Sequence, residues 1–316
     1  MSPVTSFTIR KTEFQNRVFV ASGTFGYGDE VGNLVDTSLL GGIMTKSLSL
    51  KPRAGNPPRR IVETPSGMLN SIGLANIGVE KFLKEKLPFL RSLRTKIIAN
   101  IAASSTDEYC EVLRLMDSEE GIAGYEINVS CPNVKEGGLS FGTDCKKVRE
   151  ITEKLRLLTD RPLIIKLTPN VTHISEFARA AQEAGADAIS AINTLVGLAI
   201  DLRTRKPKLS TVTGGLSGPA IKPVALAKVY EIAQAVEIPI IGIGGIASTE
   251  DALEFLIVGA SAVQIGTMNF VEPSIAGTIA RGIEEYAQRQ NLKDVGELVG
   301  TLDANIEFSP LYSWLH

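Results

Sequence analysis
An α/β fold of the (β/α)8 barrel type, one domain over residues 1–316 with long insertions at one end, is what this sequence predicts. Three observations lead there. Eight short runs rich in Val and Ile recur along the chain. They are apolar throughout rather than alternating, as parallel strands must be when helices cover one face and a core fills the other. Between them lie segments with apolar residues at three- and four-residue spacing, the mark of amphipathic helices. A doubly wound open sheet is the other arrangement of the same beat.

Taken in order, "RVFVASG" (17–23) and "GGIMTKS" (41–47) predict the first two strands, the second leading into a long insertion over 48–75. "KIIANIA" (96–102) precedes the helical "TDEYCEVLRLMDSEE", and "GYEINVS" (124–130) runs through "CPNVKEGG" toward the helical "DCKKVREITEKLRLL". "PLIIKLT" (162–168) is followed by the helical "ISEFARAAQEAGA". "AISAINT" (188–194) opens a second insertion, 195–221, containing "DLRTRKPKLSTVTGGLSG". "IPIIGIGG" (238–245), the helical "STEDALEFLIVGA" and "AVQIGT" (262–267) complete the set. Both insertions leave the C-terminal end of a strand, where barrel enzymes place their chemistry. Loops of that length are uncommon without a role, so a lid or substrate clamp is expected.

Composition narrows the function. Lys plus Arg number 33 against 35 for Asp plus Glu, a net charge of -2, so no global field invites nucleic acid or an anionic membrane. The N-terminal residues lack a secretory leader pattern and no run approaches about 18 apolar residues, which predicts a cytoplasmic protein with a small-molecule partner. Cys110, Cys131 and Cys145 are spaced neither as zinc ligands nor as a CxxC pair. With only His173 and His316 in the chain, neither a histidine metal site nor a Ser-His-Asp triad is expected.

Polar residues unsuited to a core gather at the strand ends: Ser22, Lys46, Asn100, Asn128, Cys131, Lys166, Asn193 and Thr194. A lysine inside "IIKLT" is costly to bury without a partner, so it has either a structural ion pair or an anionic ligand. Two lysines and three asparagines at equivalent ends favour the ligand. The last two strands end in Gly244-Gly245 and Gly266-Thr267, where backbone amides free of side chains can cradle a phosphate. A phosphate site in a barrel suits a sugar-phosphate isomerase or aldolase as well as a flavin mononucleotide enzyme. Clustered carboxamides, each both donor and acceptor, fit a flat heterocycle better. A catalytically silent binding barrel would keep the same glycines.

The ordered set "MTKS", "MLNSIGLAN", "NVSCPNV", "AINT", "GGLSGPAIKP", "GIGGI" and "VQIGT" resembles the dihydroorotate dehydrogenases, over about residues 22–270. The cysteine in "SCPN" is similar to that of the soluble class 1 enzymes. "SGTFGYGDE" and "SLKPRAGNPPRR" resemble the 1B subclass, which uses NAD through a second subunit, rather than the fumarate-reducing 1A subclass. The resemblance implies FMN contacts from Ser22, Lys46, Ser47, Asn100, Asn128, Lys166, Ile192, Gly218, Gly244, Gly245, Gly266 and Thr267. It implies dihydroorotate or orotate contacts from Lys46, Asn70, Ser71, Ile72, Gly73, Leu74, Asn128, Asn133, Asn193 and Thr194, with Cys131 as the base. It also implies a homodimer joined by an electron-transfer subunit carrying FAD and a [2Fe-2S] cluster, giving a heterotetramer. The C-terminal "TLDANIEFSPLYSWLH" falls outside the resemblance.

Overall fold
Eight parallel strands close on themselves in chain order. They are β1 (Val18–Val20), β2 (Gly42–Met44), β3 (Lys96–Ile101), β4 (Gly124–Asn128), β5 (Leu163–Lys166), β6 (Ala188–Ala191), β7 (Ile240–Ile243) and β8 (Ala262–Ile265). Val263 lies beside Val18 and Ile265 beside Val20, and this pairing of β8 with β1 shuts the barrel. The computed structural model describes residues 2–129, 135–136 and 139–304. Two expected site residues, Cys131 and Asn133, and the C-terminal segment 305–316 lie outside the described residues.

The connections carry α1 (Val79–Glu85), α2 (Thr106–Asp117), α3 (Cys145–Arg156), α4 (Ile174–Glu183), α5 (Lys222–Ala233), α6 (Thr249–Ile257) and α7 (Ile275–Arg289). Local chemistry sets their bounds. Ser105 caps α2 by accepting from the Glu108 amide, and Tyr109, Val112, Leu113 and Met116 line its buried face at helical spacing. Ser248 caps α6 in the same way, through the amide of Asp251. One departure from the expected alternation follows β1, where two 3-10 turns, Gly32–Leu34 and Thr37–Leu39, replace a helix. Gly23, Gly26, Gly28 and Gly32 all adopt positive φ there, a backbone that cannot continue a right-handed helix.

A barrel of eight strands encloses just enough room for side chains, so its interior is packed rather than open. At the N-terminal end the hairpin of Phe7–Ile9 with Thr12–Phe14 acts as a plug. Phe7, Ile9 and Phe14 pack against Phe19, Met44, Ile98, Ile164, Ala188, Ile241 and Ala262, contributed by seven of the strands. Phe14 is fully buried, its ring 5.3 Å from Phe7 and 5.2 Å from Phe19. Truncating it leaves a cavity at the focus of the plug. Phe14→Ala is expected to cost about 3–5 kcal/mol in denaturant unfolding, and a loss below about 1 kcal/mol would show that the hairpin is dispensable.

At the opposite end the two insertions meet. Ile61–Thr64 and Gly67–Asn70 from the first pair with Gly214–Ser217 and Leu195–Gly197 from the second, forming one four-stranded antiparallel sheet. Glycine permits the junction. A Cβ on Gly67 would stand 2.0 Å from the Ser217 carbonyl oxygen, and one on Gly218, at φ +97°, only 2.6 Å from the Gly67 Cα. Ser210 adds a second tie, its amide donating to the Arg59 carbonyl and its hydroxyl to that of Pro57. The two insertions expected to form a lid or clamp thus build one sheet jointly, held from both.

Candidate active site
The last residues of the barrel strands bring the polar set to one rim. Asn128 and Lys166 end β4 and β5 and lie opposite each other in the register. Asn193 and Thr194 follow β6. The Asn193 carboxamide donates to Asn128 Oδ1 at 3.3 Å and accepts from the Thr194 amide at 2.8 Å. Lys166 Nζ donates across the barrel to Ser22 Oγ at 3.3 Å, joining β5 to the residue that follows β1 and Ala21. Lys46 and Ser47 leave β2 half-buried, with the Lys46 amide donating to the Gly26 carbonyl at 2.9 Å.

Beneath the rim sits a carboxylate in the middle of an apolar strand. Glu126 is wholly buried, and Lys166 Nζ stands 3.5 Å from its Oε2. Three more groups donate to it: Asn100 Nδ2 to Oε2 at 2.5 Å, Ser190 Oγ to Oε1 at 2.8 Å and Gln264 Nε2 to Oε1 at 2.7 Å. Sequence reasoning named Lys166 and Asn100 but passed over Ser190 and Gln264. The signal was available: each is a hydrophilic residue inside a run otherwise made of Ala, Val and Ile, one residue before its strand ends.

The segment Asn70–Leu74 descends from the lid. Asn70 Nδ2 donates to the Gly215 carbonyl at 3.3 Å, and the Ser71 amide donates to Arg60 at 2.7 Å. Asn56 holds the same turn from outside. Its amide donates to the Ile72 carbonyl and its carboxamide to that of Ser71, both at 3.0 Å. Asn170, which the sequence marks only as a chance match to a glycosylation pattern, clamps the other insertion: Nδ2 donates to the Thr194 carbonyl and Oδ1 accepts from the Val196 amide, each at 3.0 Å.

On the far side of the rim stand the glycines. Gly244 and Gly245 have φ of +128° and +76°, and a Cβ on Gly245 would meet the Lys222 backbone nitrogen, at the start of α5, at 2.6 Å. A Cβ on Gly266 would meet only ordinary contacts, the Ala21 Cβ at 3.7 Å and the Thr24 methyl at 4.0 Å. Thr267 Oγ1 donates to Ser217 Oγ at 2.8 Å, Ile192 is buried beside them, and Gly218 lies at the lid junction. The nearby cation is already engaged. Lys222 Nζ pairs with Asp251 at 2.6 Å and Glu254 at 2.8 Å, and the hydrogen bond with Asp251 holds its pKa above the usual lysine value. An anion at this rim would therefore be met by backbone amides.

The two remaining cysteines lie elsewhere. Cys110 is buried on α2 and Cys145 opens α3, and burial pushes both thiols up, away from the reactive thiolate. Among the described residues no cluster of His, Cys, Asp and Glu is placed to hold a metal, and no helix is long and apolar enough to cross a membrane. A cleft of about 510 Å³ between α5, α6 and Val299–Leu302 lies at the N-terminal end of β7, away from the polar rim.

Comparison with known proteins gives the family. A family model described as dihydroorotate dehydrogenase matches residues 4–286. A protein of Geotalea uraniireducens (strain Rf4) is 53% identical over 300 residues, 95% of this chain and 98% of that protein. One from Geotalea daltonii is 54% identical over 300 residues, with the same coverage. One from Thermodesulfovibrio yellowstonii is 52% identical over 299 residues, 95% of this chain and 99% of its own. All three relatives are named dihydroorotate dehydrogenase B (NAD(+)), catalytic subunit.

Proposed function
The chain belongs to the dihydroorotate dehydrogenase family, and from that premise we propose that it oxidises dihydroorotate to orotate, a step of pyrimidine biosynthesis, with FMN at the C-terminal rim of the barrel. The observation that carries the reading is the rim itself, where Lys166 and the carboxamides of Asn100, Asn128 and Asn193 converge beneath a sheet built by both insertions.

The residues present fit FMN. Asn100 Oδ1 and Gln264 Oε1 are buried acceptors without a partner among the described residues, and Gly244 and Gly245, both at positive φ, carry no side chain at the end of β7. The chain offers cationic and amide groups on one side and bare backbone amides on the other, matching a flat heterocycle with a phosphate tail. Ser22, Lys46, Ser47, Asn100, Asn128, Lys166, Ile192, Gly218, Gly244, Gly245, Gly266 and Thr267 would hold it. When bound, FMN supplies the acceptor for the hydride that leaves C6 of the substrate.

The protein's own part is to place the substrate and move a proton. Asn70–Leu74, Asn128, Asn133, Asn193 and Thr194 would orient the ring, each carboxamide serving an N–H or a C=O. Lys46 would pair with the substrate carboxylate. Cys131, three residues beyond the end of β4, would take the C5 proton as thiolate while the C5–C6 double bond forms. Lys166 would stabilise the negative charge that the hydride brings to its acceptor. The lid sheet would exclude water.

Because the relatives are named catalytic subunits of an NAD-linked enzyme, we also assign this chain a partner: an electron-transfer subunit with FAD and a [2Fe-2S] cluster, joined to a dimer of this chain. The direct test of the reading is optical. The purified protein should show flavin bands that bleach when dihydroorotate is added without oxygen; a colourless protein that cannot be loaded with FMN would end it.

Lys166→Ala is expected to lower FMN retention or slow flavin reduction by about tenfold or more, because it removes a site cation and leaves Glu126 an unpaired buried carboxylate. Lys147→Ala should do neither, since Lys147 pairs with Glu150 on a half-exposed face of α3. Equal losses of flavin content in the two variants would remove Lys166 from the site.

A further inference from the structure
A carboxylate in the wall of a packed barrel is costly unless every oxygen is answered. Glu126 has four partners from four other strands: Asn100 on β3, Lys166 on β5, Ser190 on β6 and Gln264 on β8. One side chain on β4 thus couples five of the eight strands, directly below the residues assigned to cofactor and substrate.

The chemistry of the partners is ordered by it. A carboxylate only accepts, so Asn100 and Gln264 must both turn their NH2 groups toward it, which fixes their amide orientation. Their carbonyl oxygens, Asn100 Oδ1 and Gln264 Oε1, are left buried and without a partner among the described residues. Lys166 is ordered too. With its side chain 6% exposed, its ammonium is held between Glu126 Oε2 at 3.5 Å and Ser22 Oγ at 3.3 Å.

We propose that Glu126 is a positioning residue for the redox step, fixing the Lys166 ammonium below the cofactor and offsetting its charge. The inference rests on the reading that FMN occupies the rim. Its physical content is a sign. A lone lysine would stabilise electron-rich, reduced flavin; a carboxylate paired with that lysine takes part of the stabilisation away and keeps the flavin a better electron donor. Glu126 therefore acts through Lys166, touching neither flavin nor substrate.

The test is a set of three variants, Glu126→Gln, Lys166→Met and the double, with the midpoint potential of bound FMN followed spectroelectrochemically beside FMN content. Glu126→Gln should raise the ratio of reduced to oxidised flavin at a fixed ambient potential on the order of tenfold, about 30 mV for a two-electron couple. Lys166→Met should shift the ratio the opposite way. Added to Lys166→Met, the Glu126 substitution should shift the potential by a different amount than it does alone, because no ammonium remains for it to hold in place. No shift in the wild-type background with FMN retained, or the same shift in both backgrounds, overturns the inference, because a merely structural carboxylate would change stability without this coupling. Should Glu126→Gln not fold, Glu126→Asp draws the charge back by one methylene and is read against the same outcomes. A wild-type chain that takes up no FMN overturns the cofactor reading and this inference with it, whereas bound FMN without the shift overturns the inference alone.

Discussion
Cys131→Ser is expected to retain its flavin yet reduce it with dihydroorotate on the order of 10²–10⁴-fold more slowly near neutral pH, the usual worth of a positioned general base. The thiol is the reason. A free thiol has a pKa of about 8.5, so a useful fraction is thiolate near neutrality, whereas a serine hydroxyl holds its proton far more tightly. The sign of the pH dependence follows from the deprotonated form being active. Reduction by the wild-type protein should quicken as pH rises toward the thiol pKa and level off above it, and Cys131→Ser should lose that rise. Cys110 and Cys145 serve as controls, because burial raises both thiols and neither lies at the rim. A protein carrying Cys110→Ala and Cys145→Ala should reduce its flavin at the wild-type rate. An unimpaired Cys131→Ser would take the thiol out of the chemistry, and a profile flat from neutral to alkaline pH, with proton transfer limiting, would do the same.

The barrel was legible because its strands carry a local signal: buried on both faces, stretches such as Leu163–Ile165 and Ile240–Ile243 are apolar without alternation. The lid was legible only as two insertions of unusual length. Its strands, Gly67–Asn70, Gly214–Ser217 and Leu195–Gly197, are short and only partly buried, and the pairing that joins the two insertions, Gly67–Asn70 with Gly214–Ser217, spans more than a hundred residues of sequence. Nothing local encodes such a register. The missing first helix had a cue in its glycines, which the expected alternation outweighed. In the site, residues at strand ends stood out because they break an apolar run where it stops. Glu126, Ser190 and Gln264 lie within their runs, and their meaning depends on closure, which brings four distant strands around one carboxylate.

The isolated chain is expected to reduce an artificial dye with dihydroorotate while reducing NAD poorly, and adding the proposed electron-transfer subunit should restore NAD reduction. Each turnover leaves two electrons that must depart before the next. Within this sequence no strict G-x-G-x-x-G follows a strand to bind a dinucleotide: at the end of β7 the chain reads "GIGGIA", with Ala247 at the third glycine position. Three cysteines cannot supply the four thiolates of an iron-sulfur cluster. The route from flavin to NAD is therefore expected to use groups on the proposed separate subunit. The Glu126–Lys166 pair bears on the same step, since a carboxylate that offsets the lysine leaves the reduced flavin readier to give up its electrons to a partner. The measurement is steady-state turnover with dye, NAD and fumarate in parallel, with and without the partner. Efficient NAD reduction by the chain alone would remove the need for a partner. Rapid turnover with fumarate would place the protein with the other soluble subclass.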